Sequence, residues 1–316
     1  MKMKIEETYC EAFEGLFVRL CVTAGDEKRL KRAAYSATAL PCTVFGESEG
    51  GVEKWLNEGE GEGENETPDG RVGALVQVWV NSDSAVEEVG TAKRLEYEVS
   101  KRIRQGVLVV PTTAVFNAFP TTHADGKIDT MQRVGHCGDG HETVEQRFGR
   151  EVVAVPIMMG EFLVERYLGY GKGVMGGNLW FFCESLESAL EAGEKAVAAV
   201  NGVEGAVAPF EICAAGSKPE TKYPEIGPTT NHLYCPSLKR RLRGSESKVP
   251  AGVNFIPEVV INGVSLDAVR EAMRAAVESV QDVKGVVKVS AGNYGGKLGR
   301  YKIYLDELLS LRKRGD

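Results

Sequence analysis

The chain reads as an α+β protein of two ferredoxin-like (βαββαβ) lobes, residues 1–157 and 158–316, related by internal duplication. Three observations predict this. Two stretches of the C-terminal half match without gaps at an offset of 80 residues, beginning at Asn178 and Glu258. The apolar spacing within each reads strand, helix, strand. The N-terminal half can be cut in the same order, and two such units in succession make helices on one face of an antiparallel sheet.

In the N-terminal half, "LFVRLCVTAGDEKRLKRAAYSATALPCTVFG" starts at Leu16 and gives strand, helix and strand. "GALVQVWVNSDSAVEEVGTAKRLEYEVSKRIRQGVLVVPTT" repeats the order from Gly73. Between them, residues 46–70 form an acidic, glycine-rich stretch expected to be a mobile loop. In the C-terminal half, Ser185 and Ser265 sit where helix N-caps belong. Leu186, Ala189, Gly193, Ala196, Val197 and Val200 then match Leu266, Val269, Met273, Ala276, Val277 and Val280, one face at helical spacing. Gly205 and Gly285 close each connection before a second apolar run. A second long insertion, 211–257, takes the same place in its lobe as 46–70 takes in the other. Connections of that length often carry function.

Composition narrows the function. The 316 residues are 43% hydrophobic and 26% charged, and their net charge of −7 has no basic block near either end. That argues against nucleic acid as a partner, since phosphate binding needs a concentrated positive face. The N-terminus lacks the apolar core of a signal peptide, and runs such as "EVVAVPIMMGEF" are too short to span a bilayer. A cytoplasmic protein with no membrane partner is expected. The seven cysteines are scattered singly, as in a reduced compartment. His136 and His141 flank "CGDG" without a third ligand nearby, so no metal is expected.

Two glycine runs imitate nucleotide sites. In "VKVSAGNYGGKLGRYKIYL" (287–305) Gly296 and Lys297 fit a phosphate loop, but Ala291 and Leu298 stand where Gly and a hydroxyl belong. In "GKGVMGGN" Gly171, Gly173 and Gly176 have dinucleotide spacing, but the run precedes a strand and joins it to no helix. Neither is a nucleotide loop.

A set of ordered motifs identifies the relationship: "ETPDGR" (66–71), "GDG" (138–140), "GVMGGN" (173–178), "GVEGAVAPF" (202–210), "TNHLYCPS" (230–237), "EVVINGV" (258–264) and "VSAGNYGGKLG" (289–299). Together they resemble the formylmethanofuran:tetrahydromethanopterin formyltransferase family along nearly the whole chain. The resemblance implies two ferredoxin-like lobes, a homotetramer built as a dimer of dimers, and a cleft near a subunit interface. It also implies reversible formyl transfer from formylmethanofuran to N5 of tetrahydromethanopterin. These one-carbon carriers would act as cosubstrates, with no tightly bound cofactor and no metal. His232 and Leu233 depart from the pattern where an acidic residue is usual, Cys137 where an aromatic one is common, and "KRRLRG" (239–244) adds positive charge.

Formyl transfer needs positioned substrates, donors for an oxyanion and an acid near the leaving nitrogen. Glu258 is the candidate acid/base. It follows Pro257 at a strand start among apolar neighbours, and burial raises a carboxyl pKa toward the useful range. It also matches the glutamate that the family resemblance marks as catalytic. The bland alternative is an edge carboxylate capping a strand. Ser290, Asn293, Gly295 and Gly296 read as a cleft wall that supplies backbone amides, or as a ligand-free hairpin. Lys297 could attract an anionic tail or simply be solvated. Asn178, the repeat's counterpart of Glu258, lines the cleft or ends a strand. Asn231 and Tyr234 offer polar ligands or form a turn, and Arg71 pairs with a substrate anion or a surface acid. Cys235, near His232, is weighed as an acyl-carrying nucleophile against inert packing. A non-catalytic paralogue that binds a pterin, or assembles with one-carbon enzymes, is the alternative to an enzyme.

Overall fold

The computed structural model describes residues 3–39, 48–56, 67–82, 88–242, 246–297 and 299–310. Contacts divide the chain into two compact units: an N unit, Gly15–Gly173, and a C unit, Met1–Glu14 with Val174–Asp316. Both are ferredoxin-like, as the repeat predicts.

In the N unit the strand Tyr9–Ala24 contributes residues from Gly15 onward and leads into the helix Glu27–Thr38. That helix starts at Asp26, whose carboxylate accepts the Arg29 N–H at 2.9 Å, and it buries Leu30, Ala33, Ala34 and Ala37 on one face. The strands Ser48–Leu56 and Val72–Asn81, the helix Glu88–Arg102 and the strand Ala114–Asn117 complete the order. Val72–Asn81 lies antiparallel between the first strand and Ser48–Leu56, while Ala114–Asn117 pairs with the first strand's other edge. A meander of Thr143–Arg147, Arg150–Ile157 and Gly160–Glu165 extends the sheet.

One expectation changes here. The strand Ser48–Leu56 lies within the stretch expected to be loop, while the strand expected in "ALPCTVFG" falls almost wholly outside the described residues. Residues 40–47 and 57–66 lie outside the described residues. Gly50 in this strand answers to packing. A Cβ on Gly50 would stand 2.9 Å from the Thr38 Cα, where the first helix ends.

The C unit repeats the topology. Its strands are the end of Tyr167–Cys183, then Ala206–Val207, Glu258–Gly263 and Val286–Ser290, with the helices Leu186–Asn201 and Leu266–Ser279 between them. Ser185 and Ser265 cap the helices, accepting from Ser188 N and Ala268 N at 3.1 Å each. Gly205 and Gly285 turn with φ of +77° and +87°. The strand pairing carries the duplication in its geometry. Asn178 pairs with Val260 and Trp180 with Glu258, each the 80-residue image of the other, while the Leu179–Val259 pair is its own image. A local two-fold therefore passes between Leu179 and Val259. Most of the expected helix face is buried, but Leu186, in the first turn, is 54% exposed, whereas its counterpart Leu266 packs against the core. Two further strands join this unit: Lys4–Ile5 runs parallel to Val286–Ser290, and Tyr301–Tyr304 pairs with residues 9–12.

Among the described residues no helix is long and apolar enough to cross a membrane.

Candidate functional site

The site belongs wholly to the C unit, where the strand Glu258–Gly263 receives the long insertion from Ala206–Val207. The insertion is pinned at that point. Glu258 N–H donates to the Cys213 carbonyl at 2.9 Å, and Cys213 N–H returns a bond to the Glu258 carbonyl at 2.8 Å.

The Glu258 side chain is 6% exposed. Its Oε1 accepts two bonds, from Asn178 Nδ2 at 2.9 Å and from the Trp180 indole N–H at 2.8 Å. Both donors come from one strand two residues apart, so their side chains share a face. Asn178 stands diagonal to Glu258 across the two-fold, where cross-strand neighbours meet. Asn178 is fully used, because its Oδ1 accepts the Gly292 N–H at 2.9 Å. Gly292 must be glycine for this, since a Cβ there would lie 2.7 Å from the Asn178 amide nitrogen. Oε1 is thus doubly bonded, and the carboxylate also meets the Cys213 thiol, a weak neutral donor.

Glu258 lines a cavity of about 240 Å³ with Ala214–Gly216, Asn231, Tyr234, Cys235 and Phe255. A second cavity of about 490 Å³ is lined by Glu6, Lys218, Lys248, Ser290, Asn293, Tyr294 and Gly295, among others. The two share Trp180, Asn231 and Tyr234 as a common wall. The wall is aromatic: the Trp180 and Tyr234 rings meet edge-on at 4.8 Å, and the Lys248 ammonium lies 5.6 Å from the Tyr234 ring centre. Across the larger cavity, the Tyr294 hydroxyl donates to the Ser217 carbonyl at 2.9 Å. Burial, then the charges of Glu258 and Glu11, push the Tyr294 phenol up to about 12, so it remains a donor. Burial and the charge of Glu258 likewise hold the Cys213 thiol above its ordinary range.

The structure therefore brings together Glu258, Asn231, Tyr234, Ser290, Asn293 and Gly295 on cavity walls, with Asn178 directly behind Glu258. Gly296 adjoins the wall without lining it, and Lys297 is exposed. Arg71 belongs to the N unit, where its guanidinium bonds Asp69, the Thr23 hydroxyl and the Thr112 carbonyl. Of the loop amides expected to face a ligand, that of Gly296 is engaged within the unit, as are three of its neighbours. Gly292 donates to Asn178, while Tyr294, Gly296 and Gly299 donate to Glu11. The Cys235 thiol contacts the Asn231 carbonyl at 3.6 Å and the Thr230 hydroxyl at 3.5 Å. Among the described residues no three His, Cys, Asp or Glu side chains converge on one metal-sized space, and His136 Nδ1 is held by Glu142 at 2.8 Å.

Trp180 and Glu11 escaped the sequence. An indole in an apolar strand reads as core, and Glu11 acts on residues more than 280 positions away. The signal for Trp180 was present, since it lies two residues after Asn178 on the same strand face.

Paired ferredoxin-like lobes, one of them opening a cleft against a buried carboxylate, define a two-lobed α+β protein built to seat a small molecule beside an acid. More narrowly, the chain belongs to the formylmethanofuran-tetrahydromethanopterin formyltransferase family. It matches that description over residues 1–157 and the family's proximal lobe over 160–308. A formylmethanofuran–tetrahydromethanopterin formyltransferase-like protein of Methanopyrus kandleri is 58% identical over 306 residues, 96% of this chain and 97% of that protein. The formylmethanofuran–tetrahydromethanopterin formyltransferase of Methanosarcina acetivorans is 41% identical over 310 residues, 97% of this chain and 98% of that one. The solved structure of the Methanosarcina barkeri formyltransferase superposes with a TM-score of 0.85 at 38% identity, covering 97% and 98% of the two chains.

Proposed function

We propose that this chain moves a formyl group reversibly from formylmethanofuran to N5 of tetrahydromethanopterin, by direct attack in a ternary complex, with Glu258 as general acid/base. The observation that carries the reading is the carboxylate itself. It is buried, fixed on one oxygen by two neutral donors, and set on a cavity wall.

The pterin nitrogen attacks the formyl carbon, so a C–N bond forms and the carbonyl π pair moves onto oxygen. On collapse that pair returns and the C–N bond to the donor breaks. The donor's amine is a poor leaving group until it gains a proton, and N5 has one to lose. One carboxyl group at Glu258 serves both needs, taking a proton from N5 and giving one to the departing nitrogen. Burial keeps water, the competing nucleophile, from the formyl carbon. Asn231, Tyr234, Ser290, Asn293 and Gly295 seat the carriers, and Asn178 orients the acid. No metal or tightly bound cofactor enters this scheme. A cytoplasmic homotetramer, a dimer of dimers without nucleic-acid or membrane partners, is the form in which we propose it works.

Mixing the protein with both carriers tests the reading. Formylated tetrahydromethanopterin is expected only when both are present. A formyl-enzyme isolated from the donor alone would overturn direct attack and return Cys235 as a nucleophile. No product at all would overturn the transferase.

One observation favours a second reading, a non-catalytic paralogue that binds a pterin. The relative at 58% identity carries a "-like" name, whereas the one named as the enzyme stands at 41%. Carrier binding without turnover is what that reading predicts.

A further inference from the structure

The glycine-rich turn that resembled a phosphate loop does bind an anion, and the chain supplies it. Glu11, 2% exposed on the strand Tyr9–Ala24, extends its carboxylate into the turn. Oε1 accepts the Tyr294 and Gly296 N–H groups at 2.6 Å each, and Oε2 accepts the Gly299 N–H at 3.1 Å. Backbone amides of one glycine-rich stretch thus converge on one carboxylate, as backbone N–H groups elsewhere converge on phosphates. The glycines are needed for the shape. Gly295 and Gly296 have φ of +75° and +72°, and a Cβ on Gly299 would stand 2.7 Å from the Ala12 backbone.

This turn is also a wall of the larger cavity, through Asn293, Tyr294 and Gly295. Its start is fixed separately, by the bond from Gly292 to Asn178, the residue that holds Glu258. We propose that Glu11 is a positioning residue, which sets the substrate-facing wall at 293–295 by serving as the internal anion of the turn. It touches no reacting atom; its task is to give the carriers a preformed surface, so its loss falls on binding more than on the chemical step. The proposal rests on the transferase reading for its kinetic consequence only.

Glu11→Gln tests it, keeping the side chain's length while replacing one acceptor oxygen with an amide donor. Hydrogen exchange at Tyr294, Gly296 and Gly299 is expected to quicken by about tenfold or more, with the Cys213 amide unchanged as an internal control. With both carriers, KM for at least one is expected to rise about tenfold while kcat moves less than about threefold. Glu11→Asp, which keeps the charge, is expected to fall between wild type and Glu11→Gln in both readouts. A folded Glu11→Gln protein with wild-type exchange at the three amides would overturn the proposal, as would faster exchange with unchanged KM. Should Glu11→Gln fail to fold, Glu11→Asp decides by the same two readouts, and wild-type values in either overturn the proposal. If the wild-type protein shows no turnover, the transferase reading fails on its own. Exchange together with the Kd of each carrier, measured by titration, then decides the role of Glu11.

Discussion

Each unit buries a carboxylate beside an amide and a tryptophan that lie two residues apart on one strand, and the two are treated differently. In the N unit, Glu53 is 3% exposed and accepts from Gln77 Nε2 at 2.8 Å, while the Trp79 indole braces Gln77 at 2.9 Å. Arg19 then grips both Glu53 oxygens, at 2.8 and 2.5 Å. In the C unit, Asn178 and Trp180 both donate to the same oxygen of Glu258, and among the described residues no guanidinium closes the other. A bidentate arginine commits a carboxylate to the fold, because both oxygens are spent and the charge is cancelled. Neutral donors on one oxygen fix a carboxylate in space and leave it able to exchange a proton. The same ingredients thus build a brace in one unit and a candidate acid in the other.

The comparison can be broken most forcefully at the brace. Glu53→Gln removes the charge that Arg19 grips through two hydrogen bonds in a largely buried place, and a loss of about 2 kcal/mol in unfolding free energy is expected. Formyl transfer per folded molecule should be retained, as denaturant titration beside an activity assay would show. A large activity loss in fully folded protein would erase the distinction between the two carboxylates.

A smaller effect sharpens it from the other side. Trp180→Phe keeps an aromatic ring but removes one of the two donors to Glu258, and kcat is expected to fall about tenfold, the order of one hydrogen bond to a charged group. Circular dichroism should stay unchanged, and a normal rate would show that Asn178 alone positions the acid.

The smallest effect concerns Tyr294, whose proton is held by burial and by the charges of Glu258 and Glu11. Its phenol titrates at about 12, against about 10 for an ordinary tyrosine. The folded state therefore holds this proton more tightly than the unfolded chain does. The stability it contributes is complete below about pH 10 and is lost as pH rises through about 12. Burial also raises the Tyr234 phenol, so an absorbance titration should show late tyrosinates, of which Tyr294→Phe removes the one near 12; its persistence there would mean that another of the ten tyrosines is the latest.

Much of this arrangement was legible in the sequence. The 80-residue repeat paired Asn178 with Glu258 in the linear chain, and the structure joins those side chains by a hydrogen bond. The serine caps were visible because capping is local, and both nucleotide imitations failed on local grounds. What stayed hidden was decided by distant contacts. Glu11 looked like any acid near a terminus, because Tyr294, Gly296 and Gly299, which donate to it, lie far away in the chain. Ser48–Leu56 looked like a loop because Gly50 answers to a helix end, and the choice for Arg71 between a substrate anion and a surface acid turned on Asp69 and Thr23, which engage it.

The central claim is that Glu258 handles the proton of formyl transfer. Its most direct test is the rate at which folded Glu258→Gln protein formylates tetrahydromethanopterin from formylmethanofuran. The account predicts a kcat lower by about 10²-fold or more, with an unchanged melting midpoint. A variant that turns over at the wild-type rate would contradict it and leave Glu258 a strand-end carboxylate like any other.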